Sequence, residues 1–211
     1  MEQLLERRGS RRRRRPPVLR LLLCTLAVGG GLVLAARLLG GGPACKAPPE
    51  NPDWITQDFL PRNDYSRPGT PLDAVDGVVV HYVGNPGTTA GQNRIYFAGL
   101  ARSGETYASS HFLIGLDGEI LQCVPLDEVA YCSNQRNHDT LSIECCHPDD
   151  SGQFTQATYD ALVRLVRWLR EYYGLEAGQI IRHYDVTGKE CPRYYVQHPE
   201  AWAQFLLDVQ E

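Results

Sequence analysis

His81, at the end of a short valine run, and the segment His183-Tyr-Asp-Val-Thr-Gly-Lys-Glu-Cys-Pro192 hold the residues best suited to chemistry. Two imidazoles and a thiolate, from His81, His183 and Cys191, supply three corners of a tetrahedral metal site. Nitrogen and sulfur donors together select zinc over magnesium or calcium. Three protein ligands with one open position is the pattern of a catalytic rather than a structural zinc. Lys189, two residues before the thiol, sets a cation beside the open corner. Taken singly, each has a bland reading: a strand histidine packs, and a loop lysine is solvated. Together they read as a zinc hydrolase.

Such a site needs elements that deliver its parts to one place. Residues 77–83 are β-branched and apolar enough for a buried strand, with His81 near its end. Residues 179–182 read as a second strand that presents His183, and Gly188 lets the following loop turn back so that Cys191 reaches the same metal. Residues 90–103 read as a helix. Residues 111–115 and 119–124 flank Asp117-Gly118, a hairpin signal. Residues 141–146 read as another strand. Thr155 caps a long helix with Leu162, Leu165, Val166, Leu169 and Tyr173 on one face, closed by Gly174. Pro199 opens a last helix. Strands mixed with helices imply an α/β fold, a single domain with a central mixed β-sheet flanked by helices.

The 211 residues hold one such domain and an appendage. Residues 1–17 form a basic tail; eight arginines fall within the first twenty residues, against Glu2 and Glu6. From residue 38 onward twelve Lys or Arg face twenty-three Asp or Glu, so a basic head precedes an acidic body. Nucleic acid is one partner for an arginine run. The apolar stretch that follows favours topology instead, because clustered positive charge stays cytoplasmic. Residues 21–36 carry no charge, but sixteen helical residues reach only about 24 Å of a core about 30 Å thick. Extended to residues 18–42, with Arg20 and Arg37 at the interfaces, the stretch makes a single-pass signal-anchor of the cell membrane. A cleaved signal is the alternative, with small residues at Gly42 and Ala44 before Cys45, which would make the protein secreted. A lipid-anchored Cys45 is a third reading, and all three place the domain outside the cytoplasm, with no nucleic-acid partner. Residues 43–72 read as a proline-rich linker merging into an ordered arm anchored by Trp54, Ile55, Phe59 and Leu60.

Cys123, Cys132, Cys145 and Cys146 allow three disulfide connectivities if all pair, or serve as small buried apolar residues. Adjacent Cys145 and Cys146 point to opposite strand faces, and Cys123 with Cys132 is the pair to test. His111 alternates with Phe112 and either bonds near the site or packs. His138, His147 and His198 carry no assigned role.

Four segments make a resemblance specific: Val78-Val-Val-His-Tyr82 with Gly84-Asn85-Pro86, Ser110-His-Phe-Leu-Ile-Gly-Leu-Asp-Gly118, Leu141-Ser-Ile-Glu144, and residues 183–192. With them, residues 73–209 resemble the zinc-dependent N-acetylmuramoyl-L-alanine amidases, which share a fold with amidase-type phage lysozymes and peptidoglycan recognition proteins. The resemblance implies that His81, His183 and Cys191 bind Zn2+ and that Lys189 assists catalysis. Some relatives place a catalytic tyrosine where this chain has Ser110; others use a glutamate on the strand matching Glu144. The chain then relies on Glu144 as base, leaving Tyr82 and Tyr107 without a role. The implied reaction is hydrolysis of the amide between N-acetylmuramic acid and L-alanine in peptidoglycan, by a monomer. A non-catalytic peptidoglycan-binding module of the same fold is the alternative, and a membrane-tethered scaffold with an incidental metal a third.

Overall fold

The structure is a computed structural model that describes residues 46–211. Both readings of the basic tail and the apolar stretch, residues 1–17 and 18–42, fall outside the described residues, as does Cys45. Among the described residues no helix is long and apolar enough to cross a membrane.

Successive side chains of a strand point to opposite faces, and this alternation organises the domain. In β2 (Val78–Tyr82), Val78 and Val80 enter one hydrophobic core, whereas Val83, one step beyond the strand, enters the other. His81 therefore shares the Val83 face. In β5 (Leu141–Cys145), Leu141, Ile143 and Cys145 join the first core and Cys146 the second, so Ser142 and Glu144 face the same way as His81. Three further strands complete the expected pattern: β3 (Phe112–Ile114), β4 (Ile120–Gln122) and β6 (Ile180–Arg182). With β1 (Ile55–Gln57) they form one sheet ordered β1-β4-β3-β5-β2-β6. Only β3 and β4 run antiparallel. The sheet is mixed for the reason read from the sequence, a hairpin turning on Gly118 at φ 83°. A Cβ there would lie 2.8 Å from the Ala157 carbonyl.

Each face carries helices. α1 (Ala90–Ser103) covers the His81 face with Phe97 and Leu100. Its Thr89 cap and Gln92 form a reciprocal box, and Gly104 closes it in the left-handed region. α2 (Gln156–Tyr173) covers the other face. It starts at Thr155, ends at Gly174, and buries Leu162, Leu165, Val166 and Leu169; each such leucine contributes roughly 1.5–3 kcal/mol by burial. α5 (Pro199–Asp208) adds Trp202 and Phe205 to that core.

Two short helices were not legible as such. α3 (His183–Thr187) begins on His183 itself, in a segment read as loop, and α4 (Arg193–Gln197) follows Cys191. The N-terminal arm also contributes more than packing: Ile55 is buried, Leu60 is fully buried, and β1 adds an outer strand parallel to β4. Three residues with one buried side chain leave no alternation to read.

All five described cysteines are free thiols. Cys145 and Cys146 do take opposite faces, while Cys123 and Cys132 serve different environments, an apolar core and a polar cleft.

Candidate functional site

β2, β5 and β6 are neighbours in the sheet, and the residues singled out for chemistry meet at their C-terminal ends. His81 leaves the end of β2. His183 directly follows β6, where α3 starts with Asp185 accepting a hydrogen bond from the Arg182 N–H at 2.8 Å. Gly188, at φ 79°, closes α3 and turns the chain back. The Tyr184 N–H then donates to the Cys191 carbonyl at 2.9 Å, holding the thiol against the start of the helix.

His81 Nδ1 and His183 Nδ1 lie 3.1 Å apart, and Cys191 Sγ is 3.9 Å from His81 Nδ1. All three residues are buried. Zinc bond lengths place two tetrahedral nitrogens about 3.3 Å apart and a nitrogen and sulfur about 3.6 Å apart. The three side chains therefore fit a zinc ion in donor type and in spacing. Each ring also turns its other nitrogen to a polar partner: His81 Nε2 is 3.1 Å from Ser133 Oγ, and His183 Nε2 is 2.8 Å from Asn134 Oδ1.

Burial and the Lys189 charge push both imidazoles below their ordinary value, with His183 adding to the effect on His81. Neutral rings are what a metal requires. Burial raises the Cys191 thiol to about 12, with Lys189 opposing.

Glu144 stands beside this cluster. The residue is half-buried and lines, with His81, His183, Lys189 and Cys191, a cleft of about 280 Å³. Cys132 Sγ is 3.5 Å from Oε1, whereas Oε2 is buried with no hydrogen-bond partner. Burial drives the carboxyl up to about 8, against smaller lowering by the Cys132 contact and Lys189. A strongly perturbed carboxyl in a cleft is suited to proton transfer. Lys189 itself is exposed at the rim.

The remaining histidines stand apart. His111 accepts from the Ser142 N–H at 3.0 Å through Nδ1 and reaches the Glu128 carbonyl at 2.9 Å through Nε2. Of its two readings the structural one holds. His147 bridges the Val83 and Asp149 carbonyls. Ser110 is fully buried and donates to the Phe112 carbonyl, so its hydroxyl is spent on the backbone.

Three groups carried no signal in the sequence. Ser133 and Asn134 sit in a polar stretch without a period. Cys132 reads from the sequence as a disulfide partner or a small buried apolar residue, neither of which points to Glu144. Tyr107, left without a role, is 61% exposed at the cleft rim, its ring 5.2 Å from Tyr65 and 5.5 Å from Tyr131. Tyr82 also lines the cleft.

A mixed sheet flanked by helices, with a His-His-Cys cluster and a half-buried glutamate at the strand ends, defines an amidase-type α/β domain. Residues 71–194 match the family model described as N-acetylmuramoyl-L-alanine amidase, and the chain belongs to that family. A probable N-acetylmuramoyl-L-alanine amidase of Bacillus licheniformis is 35% identical over 155 residues, covering 68% of this chain and 43% of that protein. The amidase CwlL of the same species is 34% identical over 168 residues, covering 74% and 46%. The chain thus spans less than half the length of these relatives. Among solved structures, a mutant endolysin from Bacillus subtilis matches with a TM-score of 0.63 at 25% identity, over 74% of this chain and 97% of that one.

Proposed function

We propose that the protein is a zinc-dependent N-acetylmuramoyl-L-alanine amidase that hydrolyses the amide between N-acetylmuramic acid and L-alanine in peptidoglycan. The observation that carries this reading is Glu144 Oε2, buried and unpartnered beside the His81–His183–Cys191 cluster. A bound zinc would supply Lewis-acid polarisation of the carbonyl and acidification of water. His81, His183 and Cys191 would hold it. Glu144 takes the proton of the attacking water and returns it to the leaving alanine nitrogen, as a positioned general base and then acid. Lys189 donates to the oxygen on which negative charge develops.

The binding-module alternative leaves the buried carboxyl and the rim lysine without a purpose, which favours the enzyme. The arginine-rich head and the apolar stretch support an extracytoplasmic domain on a single membrane anchor. A monomer acting on the wall completes the proposal. Digestion of purified cell wall, with products read by mass spectrometry, tests it. Release of free alanine amino groups and of muramic acid with a free lactyl carboxyl is expected; cleavage within the glycan or the peptide overturns it.

A further inference from the structure

One turn, residues 132–137, touches both imidazoles of the cluster from behind. His81 and His183 are 102 residues apart, yet their outward nitrogens end on adjacent residues, Ser133 and Asn134. We infer that this turn is the positioning element of the metal centre, with Ser133 and Asn134 orienting the two histidines so that both Nδ1 lone pairs face the metal. The inference rests on the zinc reading of the cluster.

The chemistry of the partners supports it. The Asn134 amide oxygen only accepts, so His183 carries its proton on Nε2 and keeps a lone pair on Nδ1. The Ser133 hydroxyl both donates and accepts. It can receive the His81 Nε2 proton when Nδ1 serves a metal. It can also donate to Nε2 when His81 Nδ1 instead gives its proton to His183. Ser133 thus satisfies a buried imidazole in either arrangement. Hydrogen bonds of this kind on the second ring nitrogen fix the orientation of a metal-ligating histidine.

The backbone of the turn is built to hold these two side chains. Asn134 takes φ 52°, the one non-glycine at positive φ among the described residues. Asparagine tolerates that region better than most residues. Asn137 Oδ1 accepts from the backbone N–H groups of Cys132 and Ser133 at 3.1 and 2.6 Å. Gln135 Nε2 donates to the Val186 carbonyl at 2.8 Å, tying the turn to the helix that begins with His183. Arg136 and Asp139 close it with an ion pair at 2.8 Å.

The test is zinc affinity of the full chain, measured by chelator competition, for wild type and for Asn134→Gly, Asn134→Asp and Ser133→Ala. Glycine accepts the positive φ without strain, so Asn134→Gly removes the oxygen and leaves the backbone free to keep its course. Loss of such a partner weakens metal binding by about 10–100-fold. Asn134→Gly and Ser133→Ala are expected to fall in that range, and Asn134→Asp, which keeps an acceptor, to stay within a few-fold of wild type. Thermal unfolding of each variant in excess chelator reads any general loss of folding separately. Asn134→Gly and Ser133→Ala variants that bind zinc as tightly as wild type overturn the inference; so does weakening that Asn134→Asp fails to rescue. A wild-type protein that binds no zinc overturns the metal reading itself, a result distinct from both.

Discussion

His81 and Glu144 are registered partners on adjacent parallel strands, β2 and β5. Partners in register point to the same face, so the backbone ladder of the sheet sets a candidate ligand beside the candidate base. Cys191 and Lys189 come instead from the turn after α3, and their placement depends on Gly188 and the Tyr184–Cys191 hydrogen bond.

Replacing Glu144 by Gln keeps the shape and removes the base. Hydrolysis of a muramyl-peptide is expected to fall about 10²–10⁴-fold, the usual contribution of a positioned general base. Zinc content by atomic absorption should stay unchanged. Full activity with full zinc would remove Glu144 from the mechanism.

Lys189→Ala is expected to lower kcat by about 10²–10³-fold, as for loss of one oxyanion donor, with KM changed little. Lys189→Arg keeps the charge but moves it, and should recover part of the loss. Steady-state kinetics decide; a kcat within twofold of wild type makes Lys189 a solvated rim charge.

Because burial holds the Cys191 thiol near 12, binding of a thiophilic cation must displace a proton. Zinc affinity should therefore rise about tenfold for each pH unit between about 6.5 and 8, where the two histidines are already neutral. Chelation should abolish activity and added zinc restore it. Cys191→Ser is expected to bind more weakly and with a flatter pH slope, measured by competition titrations at several pH values.

His111 offers a stability test away from the metal. Its burial lowers the ring to about 4, below the ordinary 6.5. Protonation of Nδ1 would break the bond from the Ser142 N–H. A depressed pKa means that its contribution is present above pH 6.5 and is lost as pH falls toward 4, an effect of at most about 3 kcal/mol. Urea unfolding of wild type should show this acid loss, and His111→Gln should flatten it. Curves that stay parallel from pH 7 to 4 would contradict the assignment.

The Tyr65–Tyr107–Tyr131 cluster gives the cleft rim an exposed aromatic face. Tyr107→Ala is expected to raise KM for muramyl-peptide about tenfold while leaving kcat nearly unchanged, the pattern of a lost binding contact. A fall in kcat at constant KM would instead place Tyr107 in the chemical step.

Much of this protein is legible along the chain because the signals are local. Two caps and a single apolar face define α2. Asp117-Gly118 makes a turn, and valines ending in His81 make a buried strand with a misfit residue. The donor types of His81, His183 and Cys191 already limit the metal, and Gly188 already marks the turn-back. What the tertiary structure decided is separation and environment. Ser133 and Asn134 lie 52 and 49 residues from the histidines they touch, and no periodicity links them. Their contact exists because the sheet sets β5, β2 and β6 side by side. The three residues of β1 form a strand only because β4 offers an open edge. The resemblance already names Glu144 as a base candidate, but only the packed sheet leaves its Oε2 buried without a hydrogen-bond partner. Residue types set which chemistry is possible; close packing across long stretches of chain determines which groups lose water and meet.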